Sequence, residues 1–285
     1  MGRLWSLLFL MVPIFGVLVF LWAIADWWPM KGHWLPENVN DYGGVIDNLF
    51  IFILWITGII FVGTSLALFW FLWKYDAAVH QGPVQYTHGS HTLEIVWSVL
   101  PAAALLFIAI FQMSAWADAK MKRPLLSKGE DGLEGTPDDV LRPPLVEVTG
   151  RQFEWRIRYP GQDGVLGTAD DILTVNDLHL PYGEDIVIQI KSQDVLHSFF
   201  LPNMRVKQDV VPGMKQFVWF RIKPPKSTET QARTYDIVCA ELCGWGHYKM
   251  RGRLTIESRD QFDKWLQKSF DEQQVSSFVK PAAEE

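Results

Sequence analysis

Cysteine is scarce in this sequence. Its 285 residues include two cysteines, Cys239 and Cys243. Two thiols are too few for a disulfide-dense scaffold or for a four-cysteine zinc or iron–sulfur site. The motif Cys-x-x-Cys-His, which attaches haem covalently, does not occur. The cysteine content therefore excludes these classes of protein.

An excess of basic residues is also missing. The chain has 26 lysine and arginine residues against 32 aspartate and glutamate residues, which gives a formal charge of −6. Residues 1–116 carry 3 basic and 6 acidic groups, and residues 117–285 carry 23 and 26. Neither part offers the basic surface that binds nucleic acid, so we expect no nucleic-acid partner.

Charged side chains are absent from three apolar runs, Leu4–Ala25, Leu49–Trp73 and Ile95–Trp116. Each run has at least 22 residues, which is enough to cross a bilayer core as a helix. Tryptophans cluster near their ends, as expected of rings at headgroup level. We predict a transmembrane helical hairpin within residues 45–117, preceded by a helix in residues 1–25.

The first apolar run has two interpretations. Arg3, the apolar stretch and the small residues at 23–25 also resemble a secretory signal with its cleavage site. The apolar stretch before Trp22 is longer than a normal signal core. We therefore expect a retained transmembrane helix, with a signal peptide as the alternative.

The rest of the chain has the pattern of an all-β domain. Short runs rich in β-branched and aromatic residues are separated by Pro, Gly and Asp clusters, which predicts a sandwich over residues 145–257. The predicted strands are Leu145–Thr149, Gln152–Tyr159, Asp185–Lys191, Leu196–Leu201, Gln216–Ile222, Thr234–Val238 and Arg251–Ile256. Residues 118–144 are predicted to be a linker. In the C-terminal part, 258–285, we expect a helix over Ser258–Ser269 and then a disordered tail.

One segment is repeated: residues 131–139 recur in similar form at 163–171. Acidic oxygens gathered by glycine-rich turns could hold Ca²⁺. Because Asp-Gly is also a strong turn signal, we favour two exposed turns, and calcium binding is the alternative. The candidate calcium ligands are Asp131, Asp138, Asp139, Asp163, Asp170 and Asp171.

Soft metal ligands crowd the segment from Cys239 to Met250. Two thiols four residues apart, an imidazole at His247 and a thioether suit copper. A mononuclear blue-copper site uses one cysteine, so Cys243 as a second one suggests two metals bridged by two sulfurs. Such a centre needs another nitrogen ligand, for which His197 is the candidate because it follows a predicted strand. A disulfide is the alternative for the two cysteines alone.

These residues resemble subunit II of the haem–copper cytochrome c oxidases. The family's copper-binding pattern Cys-x-Glu-x-Cys-x-x-x-His-x-x-Met is matched in full from Cys239 to Met250. Its Asp-x-x-His-Ser is matched at Asp194–Ser198, and its Lys-x-Asp-x-x-Pro-Gly at Lys207–Gly213. The resemblance covers Leu49–Trp116 and about Leu145–Ile256. It implies a Greek-key cupredoxin sandwich on a transmembrane helical hairpin.

The resemblance also implies a dinuclear copper centre, CuA. The side-chain ligands would be His197, Cys239, Cys243, His247 and Met250, joined by the backbone carbonyl of Glu241. The Glu241 side chain would reach a Mg²⁺ ion at the contact with the catalytic subunit.

A carboxylate stands at the edge of the third apolar run. Charged groups at such positions are costly and commonly functional. Glu94 matches the family pattern Leu-Glu-x-x-Trp-x-x-x-Pro, in which this residue stands at the mouth of a proton-uptake route. Capping of a helix N-terminus is the alternative role.

The chain departs from the family at the electron port. The family's Gln-Trp-x-Trp reads here as Gln152-Phe153-Glu154-Trp155, so Phe153 holds the position of the port tryptophan. Arg158 stands where the family often has a docking carboxylate. The port is expected at Phe153, with Trp155 or Trp245 as alternatives.

The expected function is electron transfer in a respiratory terminal oxidase, a proton-translocating oxidoreductase. Partners would be membrane lipid, oxidase subunits I and III, and a cytochrome c or a tethered cytochrome c domain. Three spans with Arg3 inside would place the copper domain on the periplasmic side of a bacterial inner membrane. The alternatives are a quinol-oxidase version, which lacks copper ligands, and a tethered copper chaperone, which needs neither Glu94 nor Lys207–Gly213.

Overall fold

A computed structural model describes residues 2–32, 34–83, 86, 88–129, 132–225 and 232–279. The chain divides into two units. One comprises Met1–Pro36 and Val45–Ala115, and the other comprises Glu37–Gly44 and Trp116–Glu285. The first is helical and the second is built mainly of β-strands.

Three helices dominate the first unit: α1 (Gly2–Ile24), α2 (Gly43–Lys74) and α3 (His91–Phe111). The third candidate span continues from α3 through the short helix α4 (Met113–Lys120). Within the described part of the chain, these three spans are long and apolar enough to cross a bilayer, as the sequence predicted.

Small side chains bring α1 close to α2. Ser6, Pro13 and Ala23 are buried on one face of α1, and a Cβ placed at Gly16 would lie 3.9 Å from Phe61 Cε1. Most large apolar side chains of these helices are exposed, which suits a lipid environment, where close packing of small residues drives helix association.

The second unit is a sandwich of two five-stranded sheets. In chain order its strands are β3 (Val146–Arg151), β4 (Glu154–Tyr159), β5 (Ile172–Val175), β6 (Asp177–Pro181), β7 (Asp185–Ser192), β8 (His197–Leu201), β9 (Val206–Val210), β10 (Gln216–Arg221), β11 (Arg233–Cys239) and β12 (Arg251–Glu257). One sheet has the order β10-β7-β3-β4-β5 and the other β6-β12-β11-β8-β9. Ahead of them, β1 (Leu125–Ser127) pairs with β2 (Val140–Leu141).

The predicted strands all appear, with ends close to those expected. The alternation of apolar and polar residues buries Trp155 and Ile157 of β4 and Ile188 of β7 between the sheets. Strands β5, β6 and β9, which are short, were not predicted, and neither was the hairpin of β1 and β2 inside the predicted linker. The sandwich nevertheless agrees with the predicted fold class.

The C-terminal helix α5 (Arg259–Val279) is longer than predicted. Ser258 caps it, because the Ser258 hydroxyl accepts from Gln261 N–H at 3.3 Å and the Gln261 side chain accepts from Ser258 N–H at 3.1 Å. Beyond the predicted end, the Gln273 amide bonds both the N–H and the C=O of Leu173 on edge strand β5. The prediction of disorder after Ser269 was therefore wrong up to Val279.

The segment that precedes α2 belongs to the β unit. Val39 is buried in the sandwich core, and Asn40 pairs with Ile222 as an antiparallel bridge. The Asn40 side chain donates to the Met204 carbonyl at 2.8 Å and accepts from Tyr42 N–H at 3.1 Å. The sequence pattern did not predict that these residues belong to the β unit.

Candidate metal centre

The soft ligands lie at one end of the β11–β12 hairpin. Cys239 is the last residue of β11, Met250 directly precedes β12, and the Cys239 N–H donates to the Met250 carbonyl at 3.2 Å. The chain between them folds back in a loop that ends in a 3-10 turn at His247–Lys249. Strand pairing therefore places the two ends of the loop side by side.

The sulfur atoms converge inside this loop. The Cys239 and Cys243 Sγ atoms are 3.9 Å apart, and Cys243 Sγ lies 3.8 Å from Met250 Sδ and 3.6 Å from His247 Nδ1. Both cysteines and Met250 are buried, His247 is half-buried, and the thiols form no disulfide. The Glu241 carbonyl oxygen also lies 3.3 Å from Cys239 Sγ.

His197 joins the cluster from the neighbouring strand β8. Its Nδ1 lies 3.9 Å from Cys239 Sγ, and the ligand atoms of His197, Cys239 and Cys243 all lie within 4.8 Å of one another. The ring is fully buried and fits against Gly150, where a Cβ would lie only 2.9 Å from His197 Cδ2. The structure thus brings together all the ligand residues that the sequence suggested.

A carboxylate fixes the orientation of the His197 ring. Asp194 Oδ1 lies 2.8 Å from His197 Nε2, which leaves Nδ1 facing the sulfur atoms. The other carboxylate oxygen accepts from Gln152 N–H at 2.8 Å, and the Gln152 amide donates to the Cys243 carbonyl at 2.6 Å. Neither Asp194 nor Gln152 was assigned a role from the sequence, although both stand in motifs that resemble those of the family. The three-residue spacing from Asp194 to His197 was a usable signal for their pairing.

The thiols differ in acidity. Burial disfavours both thiolates, but hydrogen bonds with His197 and nearby backbone outweigh it and lower the pKa of Cys239 to about 6. Burial and the negative charge of Cys239 raise the pKa of Cys243 to about 12. Two adjacent thiolates repel each other, so the pair retains a proton in the absence of a cation. A bound metal would displace that proton.

The donor set fits a thiophilic metal. Thiolate, thioether and imidazole ligands favour copper among the first-row metals, and carboxylates are absent from the described ligand cluster. Two imidazoles beside three sulfur atoms bring nitrogen and sulfur donors to one place, which is the combination that copper prefers. The residues therefore suit copper, as the sequence indicated.

The candidate electron ports differ in exposure. Trp155 is fully buried, so it forms no part of the surface that a protein partner reaches. Phe153 is half-buried, and its ring lies 5.3 Å from that of Trp245, which is 81% exposed. Burial therefore argues against Trp155 as the contact residue.

Glu94 lies in the first turn of α3. Ser90 caps this helix, since its hydroxyl accepts from Leu93 N–H at 3.4 Å. Glu94 Oε2 lies 3.5 Å from His91 Nδ1, and its side chain is 53% exposed. Because Ser90 accepts the Leu93 N–H, capping of this helix does not depend on the Glu94 carboxylate, which is partly exposed to solvent.

The two Asp-Gly segments form turns of the same kind. Asp139 accepts from Gly135 N–H at 2.6 Å, and Asp171 accepts from Gly167 N–H at 2.7 Å. In the second turn, Asp171 also pairs with Arg158 at 2.9 Å. Asp131 lies outside the described residues. These bonds support the interpretation as turns, and calcium binding stays a prediction.

Comparisons with known proteins place the site in a family. The model described as "Cytochrome C oxidase subunit II, transmembrane domain" matches residues 40–114, and "Cytochrome C oxidase subunit II, periplasmic domain" matches residues 146–258. Cytochrome c oxidase subunit 2 of Thermostichus vulcanus is 26% identical over 287 residues, covering 88% of this chain and 82% of that protein. Alternative cytochrome c oxidase subunit 2 of Bradyrhizobium diazoefficiens is 28% identical over 289 residues, covering 93% and 92%.

Among solved structures, the periplasmic domain of subunit II of cytochrome oxidase from Bradyrhizobium japonicum is 26% identical. The match covers 45% of this chain and 93% of that one, with a TM-score of 0.36. Helices α1 and α5 lie outside the ranges that the two family models match.

We predict that Asp194→Ala weakens copper binding about 10–100-fold, because the His197 ring loses the partner that orients it. Competitive titration of the full chain with a copper chelator measures this affinity. Asp194→Asn keeps a hydrogen-bond acceptor and should restore part of the loss. Asp236→Ala, which removes an exposed carboxylate paired with Arg251, is the matched control. Equal affinities for Asp194→Ala and the control would contradict the assigned role.

Proposed function

Since the chain belongs to the family of cytochrome c oxidase subunit II, a membrane subunit of haem–copper terminal oxidases, we propose that it receives electrons for such an oxidase at a dinuclear copper centre. The observation that supports this proposal is the convergence of three sulfur atoms and two imidazoles in one buried cluster. A quinol-oxidase version of the subunit lacks these ligands, and they are all present here.

The ligands would be His197, Cys239, Cys243, His247 and Met250, with the Glu241 carbonyl. Copper held there would accept and release one electron at a time, shared between two ions. The protein's contribution is a rigid frame, since three hydrogen-bonded strands and the Asp194 carboxylate fix the donors. Donors that need not move make electron transfer fast, because little reorganisation is required.

We predict two copper ions per chain and an EPR spectrum in which one electron is shared equally between them. Cys239→Ser should abolish this spectrum, because it removes a bridging sulfur. Copper analysis of this chain purified apart from the catalytic subunit, which holds copper of its own, gives the number of ions. EPR of the purified oxidase gives the spectrum, and circular dichroism controls for the β-sheet content of the variant. A single copper with an ordinary mononuclear signal would contradict the dinuclear centre.

We also propose the partner subunits and the membrane in which this chain lies. Oxidase subunits I and III would be its neighbours in a bacterial inner membrane, with the copper domain on the periplasmic side. The Glu241 side chain would contact Mg²⁺ at the boundary with subunit I. The ligand loop lies at one end of the sandwich and carries exposed side chains. This position would let electrons pass from the loop to haem in subunit I.

We propose further that Glu94 takes up protons from the cytoplasmic side. Its carboxylate lies at the edge of a membrane-spanning helix and is half exposed, while Ser90 supplies the helix cap. These observations support a role for Glu94 beyond capping the helix.

We predict that Glu94→Gln slows oxygen turnover several-fold while the copper spectrum stays as in the wild type, since the amide cannot carry a proton. Steady-state oxygen consumption and EPR of the same preparation test this. Asp76→Asn, which changes a carboxylate in the loop between α2 and α3, is the matched control. Unchanged turnover in Glu94→Gln would leave this residue without a proton-transfer role.

The electron donor would be a cytochrome c, either soluble or held beside the oxidase as a tethered domain. The arginines of β4 are neutralised within the chain: Arg156 pairs with Glu154 at 2.8 Å, and Arg158 pairs with Asp171 at 2.9 Å. Paired charges exert little long-range attraction on a charged partner. We therefore propose that packing, more than charge, determines the contact with the donor.

We predict a weak dependence of electron uptake on ionic strength. Stopped-flow reduction of the oxidase by a basic mitochondrial-type cytochrome c and by the donor in native membranes measures it. With charge playing a small part, the rate constants should change little between low and high salt. A fast reaction with the basic cytochrome that falls steeply as salt rises would contradict this proposal.

A further inference from the structure

A large aromatic side chain is exposed in the middle of the ligand loop. Trp245 lies two residues after Cys243 and two residues before His247, so it is joined by a short stretch of backbone to a thiol and to an imidazole of the cluster. Its side chain is 81% exposed, whereas the neighbouring Cys243 is buried. An exposed indole is costly to leave in water and is enriched in protein contacts.

The Phe153 ring packs against the Trp245 indole. The two rings meet edge to face with centroids 5.3 Å apart. Phe153 packs directly on the loop backbone, since a Cβ placed at Gly246 would lie 2.5 Å from Phe153 Cδ2. Any side chain at this position would displace the Phe153 ring, so glycine here permits the contact. The phenylalanine thus reaches the surface only in part and forms a platform for Trp245.

The other aromatic residues near the cluster lack this combination. Trp155 is fully buried behind His197. Tyr248 is 70% exposed, but its ring lies beside the Lys249 ammonium at 5.4 Å and has no described contact with Phe153. Leu242, at 78% exposed, adds apolar surface on the same loop as Trp245.

We propose that Trp245 is the residue on which a cytochrome c docks and through which its electron reaches the ligand loop, and that Phe153 is a positioning residue for the indole. This inference rests on the proposed function above. In each transfer the ferrous haem of the donor would lose one electron, and copper held by Cys239, Cys243 and His247 would gain it. The indole supplies the contact, and the backbone from Trp245 to Cys243 and His247 supplies the route.

The first test compares two reductants on the purified oxidase by stopped flow. A mitochondrial-type cytochrome c must dock, whereas hexaammineruthenium(II) is small and needs no docking surface. Trp245→Ala should lower the rate constant for the cytochrome about 30-fold, the loss expected for a central aromatic contact. The rate with the ruthenium complex and the EPR spectrum should stay as in the wild type. Tyr248→Ala, the matched control in the same loop, should leave both rates unchanged.

The second test measures binding without electron transfer. Affinity of the oxidase for oxidised cytochrome c should fall by a similar factor in Trp245→Ala and stay unchanged in Tyr248→Ala. This measurement does not require copper. If the wild-type chain contained no copper, the proposed function would be contradicted, but the binding measurement would still test the docking role of Trp245. Wild-type affinity in Trp245→Ala would overturn the inference.

The positioning role of Phe153 is tested by fluorine NMR of the Trp245 indole. In protein labelled with 5-fluorotryptophan, the resonance missing from Trp245→Phe identifies Trp245. Phe153→Ala should shift or broaden this resonance and slow reduction by cytochrome c, and Phe153→Tyr should restore both. Slow reduction in Phe153→Ala with an unchanged Trp245 resonance would make Phe153 itself the contact and overturn the assignment.

Discussion

The candidate metal centre depends on the pairing register of β11 and β12. Val238 lies opposite Arg251, and the next pair of residues toward the loop is Cys239 and Met250, joined by a backbone hydrogen bond. A slip of one residue would turn these side chains to the other face of the sheet and disperse the sulfur atoms. Strand β8 pairs with β11 through Phe199 and Cys239, and this second register brings His197 to the same end. The pairing of three strands thus determines where the ligand residues meet.

Sequence spacing predicted well which of the candidate ligand residues lie close together, because most of them belong to one loop. Cys239, Cys243, His247 and Met250 are close in sequence, so any compact loop gathers them. The residues around them were harder to predict. Gln152 reaches the Cys243 carbonyl across the sandwich, and only the packing of the two sheets brings these segments together.

The differences between predicted and observed elements have similar causes. The strand β6 carries His179, which is buried, bonded to Glu257 at 2.7 Å and stacked on Trp265. Its sequence does alternate, with Leu178 and Leu180 as the apolar positions, but the strand has only five residues and ends in Pro181, which weakens the signal. The burial of Trp155 was predictable, however, because the alternation along β4 places it with Ile157 and Tyr159 on the inner face.

The burial of Val39 and Asn40 in the sandwich has a consequence for how the protein is made. These residues precede α2 in the chain, whereas every strand of the sandwich follows α3. The β unit therefore cannot complete its core during synthesis until both intervening helices have been inserted and the chain has returned to the side where it began. An odd number of crossings between the two segments would leave them on opposite sides of the bilayer. Folding of the domain thus acts as a check that the helical hairpin has been inserted as a pair.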